Sequence, residues 1–512
     1  MALFESTLTL VLIAIFLLQM SRSLTIPYPT LLALAGVIVA ALPWAPAIEI
    51  DPQLAMALFI APALLNASFE FPPQMLKRFW RPLLALAGMA VLVTTAAVAW
   101  VGVALAGLPL AAAIALGAIV APPDAAAAAA MLGQLDLPHR RIRVLEGESL
   151  LNDAVALLIF SAAVGAVSAA SLTESVPRLC LAVPLAVPLG IGLAWVKIWL
   201  YPRMIGTLRN NLFEFAATFA VWIIAERLHL SAVIAVVTFA MTLGRYMPAR
   251  QTPLDRMVSY AVWEVAGFLF NVLAFLLLGL QARSIVEGLT LGEFWGALGF
   301  ALAVLATVIG VRLAWLLIYH GLSHLWARWA GGNPAPAIGY TIFVGWCGMR
   351  GLVTLATALA LPPGFPGRDL IVLTALTVVL GTLGLQGLTL APLVKRLRFA
   401  PDDSFERELA QARVMLLDAA VESLDRRQDE TARKLSAVLA GERRMAENGH
   451  NPREVGEAHR LRRRTLIVER RKLLDLRRSG AIEDDVFHAL LQELDLAELA
   501  VSPAERFRLV EG

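Results

Sequence analysis

Residues 146–156 read Glu-Gly-Glu-Ser-Leu-Leu-Asn-Asp-Ala-Val-Ala inside a long apolar stretch. On a helix, residues four apart share a face, which stacks Glu148 under Asn152 and Ser149 under Asp153. Two carboxylates, an amide and a hydroxyl then line adjoining stripes, leaving Leu150, Leu151, Val155 and Leu157 to the packing side. Oxygen ligands of this kind suit hard cations. A carboxylate taken out of water can hold either a proton or a small cation. The plainer alternative is a structural polar seam.

Three more charges interrupt apolar runs. Asp124 follows Val120-Ala121-Pro122-Pro123. Two successive prolines remove two backbone donors and clash with the preceding turn, so the helix should break there. Asp124 then caps the following half-helix, alone or together with a part in the ion site. Arg312 lies within the otherwise apolar Leu305–Leu317 and needs a counter-charge, for which Glu148 is the natural partner. Arg350 stands in Trp346-Cys347-Gly348-Met349-Arg350-Gly351-Leu352, where glycines on both sides loosen the helix. It can face a second interruption opposite the one at Asp124. For either arginine a structural salt bridge is the plainer role.

The elements that carry these residues belong to a membrane. Of 512 residues, 58% are hydrophobic and 16% charged, with a mean hydropathy of +0.71. Soluble domains run about 45–50% apolar and about 25% charged, which excludes an ordinary soluble enzyme. Residues 1–400 hold 23 Lys/Arg and 17 Asp/Glu, whereas residues 401–512 hold 20 and 23. The chain therefore divides into a membrane domain, 1–398, and a charged helical tail, 399–512. The net charge of +3 comes from the body, where loop charges orient a membrane protein. It does not point to nucleic acid.

A spanning helix needs about 20 mostly apolar residues. Thirteen candidates lie near 4–21, 28–45, 53–69, 81–106, 109–132, 146–170, 179–201, 211–228, 230–247, 257–281, 292–320, 337–361 and 369–394. The first carries Glu5 and lacks a cleavage site, so it reads as a membrane helix rather than a signal peptide. Basic residues crowd the loops after odd-numbered candidates: Arg22, Lys77, Arg78, Arg140, Arg141, Arg203, Arg209, Arg245, Arg250 and Arg328 among them. The loops after even-numbered candidates carry only Arg178, Arg227, Arg283 and Arg368 near a helix end. This alternation predicts an external N-terminus and a cytoplasmic tail. The tail reads as helices broken at Asn448–Pro452 and Ser479-Gly480, a solvated bundle or self-association module.

Other chemistries lack their residues. Cys180 and Cys347 have no metal-ligand spacing and suggest no disulfide framework. The chain contains no Gly-Lys dipeptide, hence no phosphate loop of a pump, and neither CxxC nor HExxH. No enzyme activity and no cofactor are expected. A channel needs a continuous polar lining, whereas these polar residues gather at one depth, as alternating access requires. A proton-coupled transporter of another solute remains the alternative.

In this order the residues resemble the monovalent cation:proton antiporter family, which contains the animal sodium/hydrogen exchangers and their electroneutral bacterial relatives. Glu146–Asp153 matches its eight-residue block at every position. Leu65–Phe69 with Pro72 resembles its third-helix signature. Trp263, Glu264, Phe268, Asn271, Phe275 and Gly279 resemble a later one. Gly348–Gly351 and Gln386–Thr389 complete the set. The resemblance implies an all-α membrane protein of thirteen helices built on an inverted repeat, with helices five and twelve unwound and crossing at midplane. It implies a homodimer in the plasma membrane that exchanges Na+, or K+ or Li+, for H+, and serves pH homeostasis. Carried over, Asp153 is the ion- and proton-binding carboxylate with Asn152 its neighbour, Asp124 and Ser149 help hold the cation, and Glu148 pairs with Arg312. Arg350 belongs to the second unwound helix. Two positions depart from the family. Pro123 stands where a hydroxyl is usual, although its carbonyl can face a cation. Asn66 stands where an acid usually pairs with the arginine at 350, so Arg350 needs a different partner. Both departures bear on which cation is preferred, including a K+-selective exchanger.

Overall fold

The computed structural model describes residues 51–70, 88–124, 139–168, 172–205, 208–287, 290–330, 337–397, 404–425, 430–447, 452–479 and 484–501, with isolated positions in the first fifty. Every regular element among them is helical. The candidates at 4–21 and 28–45, and the part of the fifth beyond Asp124, lie outside these residues. A π-turn, Met56–Ile60, leads into α1 (Ala61–Glu70), followed by α2 (Ala90–Ala106), α3 (Leu110–Val120) and α4 (His139–Ser168). Then come α5 (Leu172–Leu200), α6 (Leu208–Arg227), α7 (Ala232–Tyr246), α8 (Pro253–Glu287) and α9 (Leu291–Ala330). The candidate at 337–361 divides into α10 (Ile338–Trp346) and α11 (Leu352–Leu359), and the body closes with α12 (Arg368–Thr382), a π-turn at Leu383–Gly387 and α13 (Leu388–Leu397).

Among the described residues, four segments are long and apolar enough to cross a membrane: Leu181–Arg203, Pro253–Ala274, Leu291–Trp329 and Arg368–Leu397. The shorter apolar helices include α2, α3 and α7. Lipid supplies no hydrophobic drive between helices, so close packing of small residues does that work. At Gly190 of α5 a Cβ would overlap Thr238 and the carbonyl of Ala235, so α5 and α7 touch backbone to backbone.

Two large apolar cores and one small one, around Val91, Ala121 and Ala156, result among the described residues. One large core joins α1 with α5–α8, α10, α11 and α13, and includes Trp222, Phe239 and Leu355. The other joins α2, α3 and the first half of α9 with α12, around Leu116, Val304 and Ile371. α4 serves both: Ala154 and Leu157 face the first core, Phe160 and Ala163 the second.

Residues 401–511 form a separate compact unit. It contains two helical hairpins, α14 (Ser404–Asp425) with α15 (Glu430–Glu447) and α16 (Pro452–Arg478) with α17 (Asp484–Val501). Each is stapled by one arginine. Arg443 bridges Asp418 and Glu447, and Arg470 bridges Asp495 and Glu498.

Candidate ion site at two helix breaks

α3 stops at Val120, where Pro122 and Pro123 end the ladder, and Ala121–Asp124 are not helical. The second interruption spans 347–351, between α10 and α11, where Gly348 and Gly351 stand. The two breaks meet, and each completes the other's hydrogen bonds. The amide of Asp124 donates to the carbonyl of Met349 at 2.7 Å. Its carboxylate accepts the amide of Leu352, the first residue of α11, at 3.2 Å. Gly351 precedes that residue and has no side chain to cap with, so Asp124 caps α11 across the gap. A Cβ at Gly351 would fall on the Asp124 carboxylate, so only glycine admits this approach.

Arg350 does the converse. Its Nε donates to Val120 O at 2.9 Å and its Nη2 to Ala121 O at 3.1 Å, two carbonyls at the end of α3. Its Nη1 donates to Gly348 O. Its own amide donates to Thr382 Oγ1 on α12 at 3.0 Å. A helix carries partial negative charge at its carboxyl end and partial positive charge at its amino end. The guanidinium thus meets the end of α3 and the carboxylate meets the start of α11, both with favourable sign. Asn66 makes no bond to Arg350. It is exposed on α1 and lines a shallow crevice with Glu214, Gln251 and Ser259. Among the described residues, Arg350 finds main-chain carbonyls where the family usually offers an acid.

Arg312 is buried, and its Nη2 donates to Val344 O at 3.3 Å near the end of α10. A Cβ at Gly348 would overlap Arg312 Cδ, so the two arginines enclose this glycine. The side chain of Glu148 lies outside the described residues, and with it the expected Glu148–Arg312 pair. The half-helix that Asp124 was expected to cap also lies outside them.

α4 brings the amide and carboxylate to the breaks. Ser149 Oγ donates to Pro123 O at 3.4 Å, which ties α4 to the first interruption. Along the same helix Asn152 is fully buried and Asp153 is 9% exposed. Asp153 is within electrostatic reach of Asp124. Ser149 thus touches the first break directly, and Asn152 and Asp153 follow it by about one turn on the same helix.

A family model described as "Sodium/hydrogen exchanger, transmembrane" matches residues 8–396. The chain belongs to the sodium/hydrogen exchanger family. The exchanger Rv2287 of Mycobacterium tuberculosis H37Rv is 30% identical over 93% of this chain and 92% of its own length. A sodium, potassium, lithium and rubidium/H(+) antiporter of Bacillus pumilus is 26% identical over 94% of this chain and 75% of its own. The solved fold of the sodium proton antiporter MjNhaP1 from Methanocaldococcus jannaschii covers 75% of this chain and 99% of that one, with a TM-score of 0.62 at 18% identity. As a member of this exchanger family the chain is a membrane antiporter and not an enzyme.

Sequence reasoning passed over two features of this exchanger. Thr382 accepts the amide of Arg350, a role with no sequence signature. Lys197 and Glu214 form a buried ion pair at 3.3 Å between α5 and α6, and Ser259 donates to the second oxygen of Glu214 at 3.0 Å. The cost of burying a charge at membrane depth was the signal that could have found the pair.

Proposed function

We propose that this family member is a secondary antiporter that exchanges Na+ for H+ across the plasma membrane, one for one, by alternating access around Asp153. K+ and Li+ are the other candidate cations, and the breadth of the Bacillus pumilus relative's name supports testing them. In this mechanism the two interrupted helices cross at midplane within thirteen spans, the N-terminus is outside and the tail cytoplasmic, and the protein works as a homodimer. Asp153 alternates between a proton and a cation. Asn152, Ser149 and the carbonyl of Pro123 supply neutral oxygen, and Asp124 supplies a fixed charge.

The observation that carries this reading is the reciprocal capping of the breaks. Asp124 and Arg350 are each engaged with a helix end, so neither needs to change charge during the cycle. Asn152 cannot titrate. That leaves one exchangeable proton on Asp153, and the loaded carrier has the same charge with H+ as with a monovalent cation. α4, which contributes to both cores, carries the site between them.

The test is quenching and recovery of a pH-sensitive dye in proteoliposomes, with Na+, K+ and Li+ added separately and choline as control. Cation-dependent recovery is expected with the intact chain. Asp153→Asn should abolish it while the protein stays folded and inserted. Proton flux near the wild-type level in that variant would overturn the assignment.

A further inference from the structure

The carboxyl ends of α5 and α7 lie side by side, and their surface is neither purely apolar nor purely charged. Trp195 and Trp199 stand one turn apart on the same face of α5, both exposed, with exposed Val196 beside them. The ring of Trp195 meets Tyr246 of α7 with centroids 5.1 Å apart. Three exposed arginines rim this aromatic stripe. Arg250 stands 5.9 Å from the Trp195 ring, Arg245 5.3 Å from Tyr246, and Arg203 4.2 Å from Trp199. Arg203 also donates to the carbonyl of Trp199 at 3.1 Å, which fixes its guanidinium against the helix end. Among the described residues, none of the three has a carboxylate within ion-pair distance.

Exposed indoles of a membrane protein belong at headgroup depth. Guanidinium groups bind phosphate through paired N–H donors. Here three unpaired guanidiniums are held over rings at that level, next to apolar side chains that a water-soluble anion would leave uncovered. We propose that this stripe binds an anionic phospholipid, the phosphate between Arg203, Arg245 and Arg250 and the acyl chains along Trp195, Val196 and Trp199. A zwitterionic lipid offers its phosphate with a compensating cation and fits less well. The site uses none of the residues at the helix breaks and does not depend on which ion is exchanged.

The experiment uses the full chain in neutral detergent and reads the thermal unfolding midpoint and the lipid retained in native mass spectrometry. The probes are phosphatidylglycerol, phosphatidylcholine of the same acyl chains, and inorganic phosphate. Phosphatidylglycerol is expected to raise the midpoint and to be retained, and the other two are not. Each basic residue near an anionic surface is worth about 1 kcal/mol, so Arg203→Gln/Arg245→Gln/Arg250→Gln should weaken apparent affinity on the order of 100-fold. Should the triple variant not fold, Arg250→Gln alone should weaken it roughly fivefold by the same conversion. Equal response to phosphatidylcholine, or wild-type affinity in the variants, would overturn the proposal. An equal rise with inorganic phosphate would replace it with a simple anion site. Ion exchange is not a readout, so the outcome stands whatever the transport assay gives.

Discussion

At position 351 the absence of a side chain is occupied space: the carboxylate of Asp124 lies where a Cβ would be. Gly351→Ala must push that carboxylate off the amide of Leu352, and overpacking of this kind costs about 1–3 kcal/mol. A lower unfolding midpoint together with reduced cation-dependent proton flux is the expected result, and an unchanged protein would mean that the contact is slack. Asp124 and Arg350 were legible as misplaced charges because prolines and glycines beside them are local signals. Their partners were not. A charge that binds a backbone carbonyl or amide pairs with atoms that every residue has, so Val120, Ala121 and Leu352 carry no mark in the sequence. Asn66 in place of an acid told that Arg350 needs another partner, but not that main-chain carbonyls would be among its acceptors.

The end of α3 and the start of α11 each take a side-chain partner from the other break. Both breaks were readable from the prolines at 122 and 123 and the glycines at 348 and 351, and the second of them is what divides one apolar run into α10 and α11. Lys197 and Glu214 illustrate what pattern reading misses between elements. Each is a charge in an apolar run, a signal that marks it as costly but names no partner, and only the packing of α5 on α6 reveals a buried pair. Removing one partner of a buried pair costs about 3–5 kcal/mol, whereas apolar replacement of both is often close to neutral. Glu214→Ala should therefore lower the unfolding midpoint sharply, and Lys197→Met/Glu214→Leu should recover much of the loss. If the double variant is as unstable as the sum of the singles, the pair is not what stabilises the α5–α6 contact.

For the whole molecule, the proposed exchange through one titrating carboxylate leaves membrane potential nothing to act on. A charge crossing the bilayer is worth about 2.3 kcal/mol per 100 mV, so a single uncompensated proton would show plainly. The steady-state pH gradient in proteoliposomes should ignore an imposed diffusion potential set with K+ and valinomycin, with Na+ as the exchanged ion. A gradient that follows voltage would implicate Asp124 as a second proton carrier. The separate unit at 401–511 contains none of the break residues, and removing residues 401–512 should leave exchange intact with at most a shifted pH response. A correctly inserted, inactive truncation would make the tail part of the transport machinery. The cross-capping also has a consequence for biogenesis. The carbonyl of Val120 is synthesised 230 residues before the arginine that satisfies it, an interval of about 10–50 s at ordinary translation rates. Until then the end of α3 has no protein donor from that side, and hydrocarbon offers none. The first half of the body must therefore wait beside water or the insertion machinery, and the seam between the breaks closes as one of the last acts of assembly.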